Sequence, residues 1–141
     1  MLKNKEDLKN NGFIFDYGWK KIIKVTFVDQ IVDVEIIFDT YKIEDEINNN
    51  QFETFYNIEE KFKQVILNGK NKIKKYLEDL KGNDIGENIK KYILPKQIIL
   101  SQLDEKDEFG IYFDSILDED GVGIKVKNNK IENIGQGDIV L

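Results

Sequence analysis

The sequence predicts an α+β fold in which helices pack on one face of a mostly antiparallel sheet. Three observations predict it: hydrophobic alternation every second residue near the N-terminus, hydrophobic spacing by threes and fours in the middle, and a return to alternation with short turns. The 141 residues match the length of one ordinary domain. We therefore expect a single domain over residues 1–141, with residues 1–12 as a flexible N-terminus.

The first predicted elements are strands. After a short apolar run at 13–15, residues 19–28 are rich in aromatic and β-branched side chains, with Ile23, Val25 and Phe27 on one face. Residues 31–38 also alternate between apolar and charged side chains. Together they predict an N-terminal β-hairpin with one face in water.

The central segment predicts helices. From Glu46 to Leu80, about 35 residues, apolar side chains recur every three or four positions. This is too long for an average helix, so we expect a break either near Asn57–Lys61 or at Asn68-Gly69. A short third helix is expected over Glu87–Tyr92, ending before Pro95.

The C-terminal part predicts an antiparallel meander. Strands are expected at 97–101, 109–114 and 123–127, with a last strand that includes Ile131 and Ile134. Asn128-Asn129 predicts a two-residue turn, because asparagine tolerates a positive φ.

The residue types that the chain lacks exclude several kinds of site. It has no cysteine, no histidine and no arginine. This excludes disulfides, the usual zinc and haem sites, thiol or Ser-His-Asp nucleophiles, and bidentate arginine forks. No stretch has the pattern of a secretory signal or a membrane span, so we expect a cytoplasmic protein. We expect no cofactor and no enzymatic activity.

The charge is unevenly distributed along the chain. Residues 104–120 contain eight acidic residues and one lysine, whereas residues 61–96 contain ten lysines and four acidic residues. The acidic segment favours a basic protein as partner through electrostatic steering, and it disfavours nucleic acid. Solvated loops and a solvated helix face are the alternative interpretation of both segments.

A C-terminal pattern resembles a known family. It consists of Phe113-Asp114, Asp118-Glu119-Asp120, Gly121-Val122-Gly123-Ile124, Ile134-Gly135 and Asp138-Ile139. It is similar to an uncharacterised bacterial domain family, a domain of unknown function, with a Phe-Asp element, an Asp-Glu-Glu-His stretch before Gly-x-Gly, and a closing Ile-Gly and Asp-Ile. The likeness covers roughly residues 19–141, but this chain lacks the histidine and has Leu117 at the family's tryptophan position. The resemblance implies an immunity-type protein. Together with the acidic segment, it suggests that the protein neutralises a basic toxin.

The acidic loops are the candidate binding site. The residues expected to face a basic partner are Asp104, Glu105, Asp107, Glu108, Asp118, Glu119 and Asp120. The alternative is an irregular divalent-metal site, in a sensor or a metal-dependent enzyme, that uses Asp114, Asp118 and Glu119. A third hypothesis is a structural subunit that oligomerises through an exposed sheet edge. Trp19 is either a partner anchor or a core residue.

Overall fold

Seven strands and three α-helices make up the computed structural model, which describes residues 1–141. The helices are α1 (Lys5–Asn10), α2 (Asn49–Phe55) and α3 (Ile58–Lys81), with 3₁₀ helices at Ile89–Lys91 and Gly137–Val140. The strands are β1 (Ile14–Phe15), β2 (Trp19–Phe27), β3 (Gln30–Phe38), β4 (Ile93–Leu100), β5 (Glu108–Ser115), β6 (Val122–Lys127) and β7 (Lys130–Gln136). They form one sheet in chain order, antiparallel except between β3 and β4. The predicted α+β class with a mostly antiparallel sheet is confirmed.

Strands β2 and β3 pair along nine residues, from Trp19 opposite Phe38 to Phe27 opposite Gln30. Only Val28 and Asp29 connect them. Val28 has a φ of 61°, a left-handed conformation that is costly for a β-branched residue. The alternation places Val25 and Phe27 in the core, where both are buried.

The helical segment breaks at Tyr56 and Asn57. Asn57 has a φ of 58°, which ends α2 and lets α3 begin one residue later. Of the two expected break points, the structure has the first. Helix α3 runs for 24 residues without interruption through Asn68 and Gly69.

Gly69 is the point where α3 approaches the sheet most closely at β7. A Cβ atom at this position would collide with the Ile131 side chain. The helix also packs against β2, so it crosses from one end of the sheet towards the other. Side chains of α3 and of the sheet share one hydrophobic core of 29 buried residues, and this core includes Trp19, which is only 3% exposed. The structure thus places Trp19 in the core and not on a partner-facing surface.

The link from β3 to β4 passes through the helices, as a parallel pair of strands requires. The expected third helix over Glu87–Tyr92 is only a 3₁₀ turn, because β4 already begins at Ile93 and includes Pro95. Pro95 is tolerated because β3 pairs with β4 only from Gln97 onwards, and because the register with β5 shifts beside Pro95.

The two ends of the chain are part of the folded structure. In the segment expected to be flexible, α1 is capped by Asn4, whose side chain accepts from the Asp7 amide at 3.0 Å, and its Leu8 is completely buried.

The predicted Asn128-Asn129 turn is confirmed, with φ values of 51° and 63°. No helix is both long enough and apolar enough to cross a membrane.

Candidate functional site

The two acidic loops lie at opposite ends of strand β5. The segment 104–108 leads into the strand at Glu108, and the segment 118–120 follows its end at Ser115. An extended strand of this length separates the two loops by roughly 23 Å. The two acidic loops are therefore separate surfaces.

A cleft of about 240 Å³ lies beside the first loop and is the candidate site, here called the acidic cleft. Carboxylates of Asp39, Asp104 and Glu108 line it, together with Leu103, Lys125 and Val140. Asp39 directly follows β3, and Ser101 directly follows β4. These strands are parallel, and Phe38 pairs with Leu100. The two residues that follow them therefore lie side by side at the carboxyl ends of the strands.

Helix α2 binds the carboxyl ends of β3 and β4 through one buried side chain, that of Gln51. Gln51 is 1% exposed, and its amide nitrogen donates to the carbonyl oxygens of Leu100 at 2.7 Å and of Asp39 at 3.1 Å. Its amide oxygen accepts from the Asn48 backbone nitrogen at 3.1 Å, which completes a capping box at the start of α2. Gln51 therefore holds the ends of β3 and β4 in a fixed position.

The opposite wall of the acidic cleft is the 3₁₀ helix Gly137–Val140, which contacts β5 and β6. It approaches two glycines of these strands closely. A Cβ atom at Gly110 would lie 2.9 Å from Val140 Cβ, and one at Gly123 would lie 2.8 Å from Ile139 Cγ1. Glycine at these positions is what lets the C-terminal segment lie flat on the sheet and close the cleft.

The carboxylates of the cleft are partly desolvated. The pKa of Asp104 is raised to about 6, mainly by burial and also by the nearby charges of Glu108 and Asp39. A hydrogen bond from the Ser101 backbone nitrogen (3.2 Å) and the charge of Lys125 oppose the rise. Burial also raises the pKa of Asp39, opposed by Lys20. A cation placed in the cleft would relieve this cost.

Exposed apolar side chains surround the mouth of the acidic cleft. Leu103 is 91% exposed on the first loop. Leu141, which also lines the cleft, is 75% exposed. Carboxylates inside a cleft with apolar groups at its mouth suit a cationic side chain with an apolar neighbour.

Asp107, one of the residues expected to face a partner, makes three polar contacts within the fold. Its carboxylate pairs with Lys61 Nζ at 3.0 Å, and its backbone nitrogen donates to Thr54 Oγ1 at 2.8 Å. Its carbonyl oxygen accepts from the Asn128 backbone nitrogen at 3.0 Å. Asp107 therefore joins α2, α3 and the turn after β6, and it is not part of the candidate site. Glu105 is exposed, and its backbone nitrogen donates to Glu108 Oε1 at 3.1 Å.

The second acidic loop is a tight turn. Asp118 accepts from the Asp120 backbone nitrogen at 2.9 Å and from the Gln136 side chain at 3.3 Å, while Glu119 and Asp120 are exposed. Asp114 lies on β5, 3.8 Å from Lys96. Nowhere in the molecule do three or more carboxylates come together in a way that could hold a metal ion. The geometry thus gives no support to the alternative metal site at Asp114, Asp118 and Glu119.

Sequence reasoning missed Asp39 as a site residue. The signal that would have found it is the parallel pairing of β3 with β4, which the sequence pattern does not show. Comparisons with protein-family models, with curated proteins and with solved structures find nothing similar to this chain. The family resemblance of the C-terminal pattern stays a prediction.

Proposed function

We propose that this protein is a non-catalytic binding module that takes a cationic side chain of a basic partner protein into the acidic cleft. The single observation that carries the proposal is the partly buried carboxylate of Asp104, held with Asp39 and Glu108 in a cleft that has an exposed apolar rim. A carboxylate that has lost part of its hydration gains a favourable electrostatic interaction when a cation binds beside it.

In the chain, α2 and α3 lie between the β2–β3 hairpin and the β4–β7 meander. The proposal takes them to pack on one face of the sheet. The opposite face then carries the cleft, with the 3₁₀ helix Gly137–Val140 as one wall, and a partner would approach from that side. Of the acidic residues expected at the interface, Asp104 and Glu108 line the cleft, and Glu105 flanks it. Asp118, Glu119 and Asp120 would at most steer a partner from a distance, because they lie at the other end of β5.

A partner of this kind is what an immunity protein would need. A basic toxin that presents a lysine or arginine beside an apolar residue would fit the cleft, and the negative net charge of −6 would speed the encounter. The product of a basic gene encoded beside this one is the first partner to test, by co-purification at low salt.

A titration with a defined probe tests the cleft directly. The probe is a short synthetic peptide of alternating lysine and leucine, and its control replaces each lysine with glutamine. The amide resonances of Ser101, Leu103 and Lys125 should shift on binding, and raising the salt from about 20 to about 300 mM should weaken binding strongly.

Two variants that each remove one negative charge test whether the charge inside the cleft is what binds the peptide. Asp104→Asn preserves shape and removes the charge from the cleft, and it should weaken binding about tenfold, or about 1.4 kcal/mol. Glu119→Gln removes one charge at the other end of β5 and should change the affinity less than twofold, as for an exposed site. Equal affinity for the parent and Asp104→Asn would refute the proposal.

A further inference from the structure

Strand β2 has an unpaired edge over residues 21–27. On that side β1 pairs only with the first two residues of β2, Trp19 and Lys20, whereas β3 pairs with all nine residues on the other side. No side chain forms a hydrogen bond to the backbone of residues 21–27. About seven residues of strand edge are therefore free, which is longer than an average strand.

The hairpin geometry identifies the free backbone groups. Phe27 and Gln30 close a two-residue turn, and such a closing pair is hydrogen-bonded across the hairpin. Every second residue of β2, counted back from Phe27, therefore directs its backbone towards β3. The N–H and C=O groups of Ile22, Lys24 and Thr26 point away from the sheet.

The other edge of the sheet is protected, which makes the free edge of β2 distinctive. Lys72 Nζ donates to the carbonyl oxygen of Ile131 on β7 at 3.5 Å, so one outward backbone group of that edge has a partner. A register shift between Lys125 and Val126 also disrupts the regular pairing next to it. Covering side chains and irregular pairing are the means by which proteins protect an edge strand.

A cleft of about 250 Å³ follows the free edge of β2. Lys24, Val25, Thr26 and Ile31 form its sheet side, and Glu59, Glu60 and Lys63 of α3 form the other side. Ile22 and Ile31, on the face of the sheet that lacks α3, are 57% and 71% exposed. An added strand would thus find backbone partners along the edge and space for its side chains beside it.

The charges of β2 indicate which strand fits. Lys24, at the centre of the free edge, already pairs with Asp33 on β3 at 2.8 Å, and Lys20 and Lys21 lie at the end of the same edge. A second strand beside Lys24 would therefore be favoured if it carried an acidic residue opposite that lysine. A second copy of this chain does not fit, because the antiparallel register that uses all of residues 21–27 places Lys24 opposite its own copy.

We propose that the free edge of β2 binds an extended segment of a partner protein in which acidic and β-branched residues alternate. The segment adds an eighth strand to the sheet, with its acidic residues on the face that carries Lys24 and its β-branched residues on the other face, beside Ile23 and Val25. This interaction is separate from the acidic cleft, which lies at the ends of β3 and β4, and it does not depend on it.

The probe for this proposal is the synthetic peptide Thr-Val-Glu-Val-Glu-Val-Thr, compared with the same peptide carrying lysine at both glutamate positions. Hydrogen exchange and amide shifts are followed by NMR. The acidic peptide should protect the amides of Ile22, Lys24 and Thr26 from exchange and leave those of Ile23 and Val25, already bonded to β3, unchanged. The lysine peptide should bind at least about tenfold more weakly.

Two variants at one position complete the test. Thr26→Pro removes an outward N–H without touching the ladder to β3 and should abolish binding, whereas Thr26→Val keeps the N–H and should bind like the parent. The amide protection pattern of the parent protein is a separate readout that holds even if Thr26→Pro fails to fold. The proposal is overturned if both peptides bind equally, if the edge amides stay unprotected at millimolar peptide, or if they are protected without peptide in a dimer seen by light scattering.

Discussion

The side-chain amide of Gln51 donates a 2.7 Å hydrogen bond to the carbonyl oxygen of Leu100, and its second hydrogen reaches the carbonyl oxygen of Asp39. One buried side chain thus ties together the ends of two strands that are distant in sequence and adjacent in the sheet. The same two strand ends carry Asp39 and Ser101 into the acidic cleft.

Replacing Gln51 should therefore destabilise the protein strongly. Gln51→Ala removes the donor to the Asp39 carbonyl oxygen and one of the two donors to the Leu100 carbonyl oxygen, which keeps the Asp39 backbone nitrogen at 2.9 Å. It also removes half of the capping box, so we expect a loss of about 2–4 kcal/mol in the free energy of unfolding, measured by urea denaturation. Gln64→Ala on α3, where the amide bonds Glu60 in an exposed position, is the control and should cost less than about 0.5 kcal/mol. Similar losses for both variants would contradict the role given to Gln51.

Gly69→Ala tests the close approach of α3 to β7. Alanine is the better helix former, but its Cβ atom would collide with Ile131, so we expect a loss of about 1–3 kcal/mol in place of a gain. The Ile131→Val change should reduce that loss in a double-mutant cycle, because it shortens the colliding side chain. Asn68→Ala, exposed one residue earlier, should be neutral or slightly stabilising.

The pH dependence of stability should reveal Asp104. Its pKa is about 6 in the folded protein, above the ordinary value of 3.8, so the folded state favours the protonated carboxyl. The stability that this group contributes is complete below about pH 4 and is lost as the pH rises through 6. Asp104→Asn should therefore gain stability over the parent between pH 4 and pH 7, reaching about 1 kcal/mol after solvent screening is allowed for. A gain that stays the same from pH 4 to pH 8 would exclude this cause.

The turns after β2 and after β6 allow a direct comparison of backbone strain. Val28 and Asn128 both begin two-residue connections with a positive φ, 61° and 51°. Val28→Asn should raise the urea midpoint, with a gain of about 1 kcal/mol, because asparagine tolerates the left-handed region. Asn128→Val should lower it by a similar amount. The same sign of change at both turns would contradict this explanation.

The fold class was predictable from local patterns, because alternation in residues 19–38 and the spacing of apolar residues in α3 are properties of short segments. The break at Asn57 and the continuity at Gly69 were not, since both asparagine and glycine can end a helix. Only the contact with Ile131, more than sixty residues later, explains why Gly69 lies inside one.

The candidate site was predictable only in part. Asp104 and Glu108 stand out by charge, but Asp39 joins them through a parallel pairing that no local pattern encodes. Asp107 could not be told from its neighbours either, because its partner Lys61 lies in α3, far away in the sequence. Charge density along the chain identifies acidic segments, whereas the role of each carboxylate depends on distant partners.

The parallel ladder between β3 and β4 has a consequence for how the chain folds. All other pairs of strands are antiparallel and joined by short connections, so β1–β3 and β4–β7 can each assemble locally. The two groups join through a ladder of four residue pairs, Glu35 to Phe38 with Gln97 to Leu100, that closes a loop of more than fifty residues. We expect this closure to limit the rate of folding, with α2 docking in the same step.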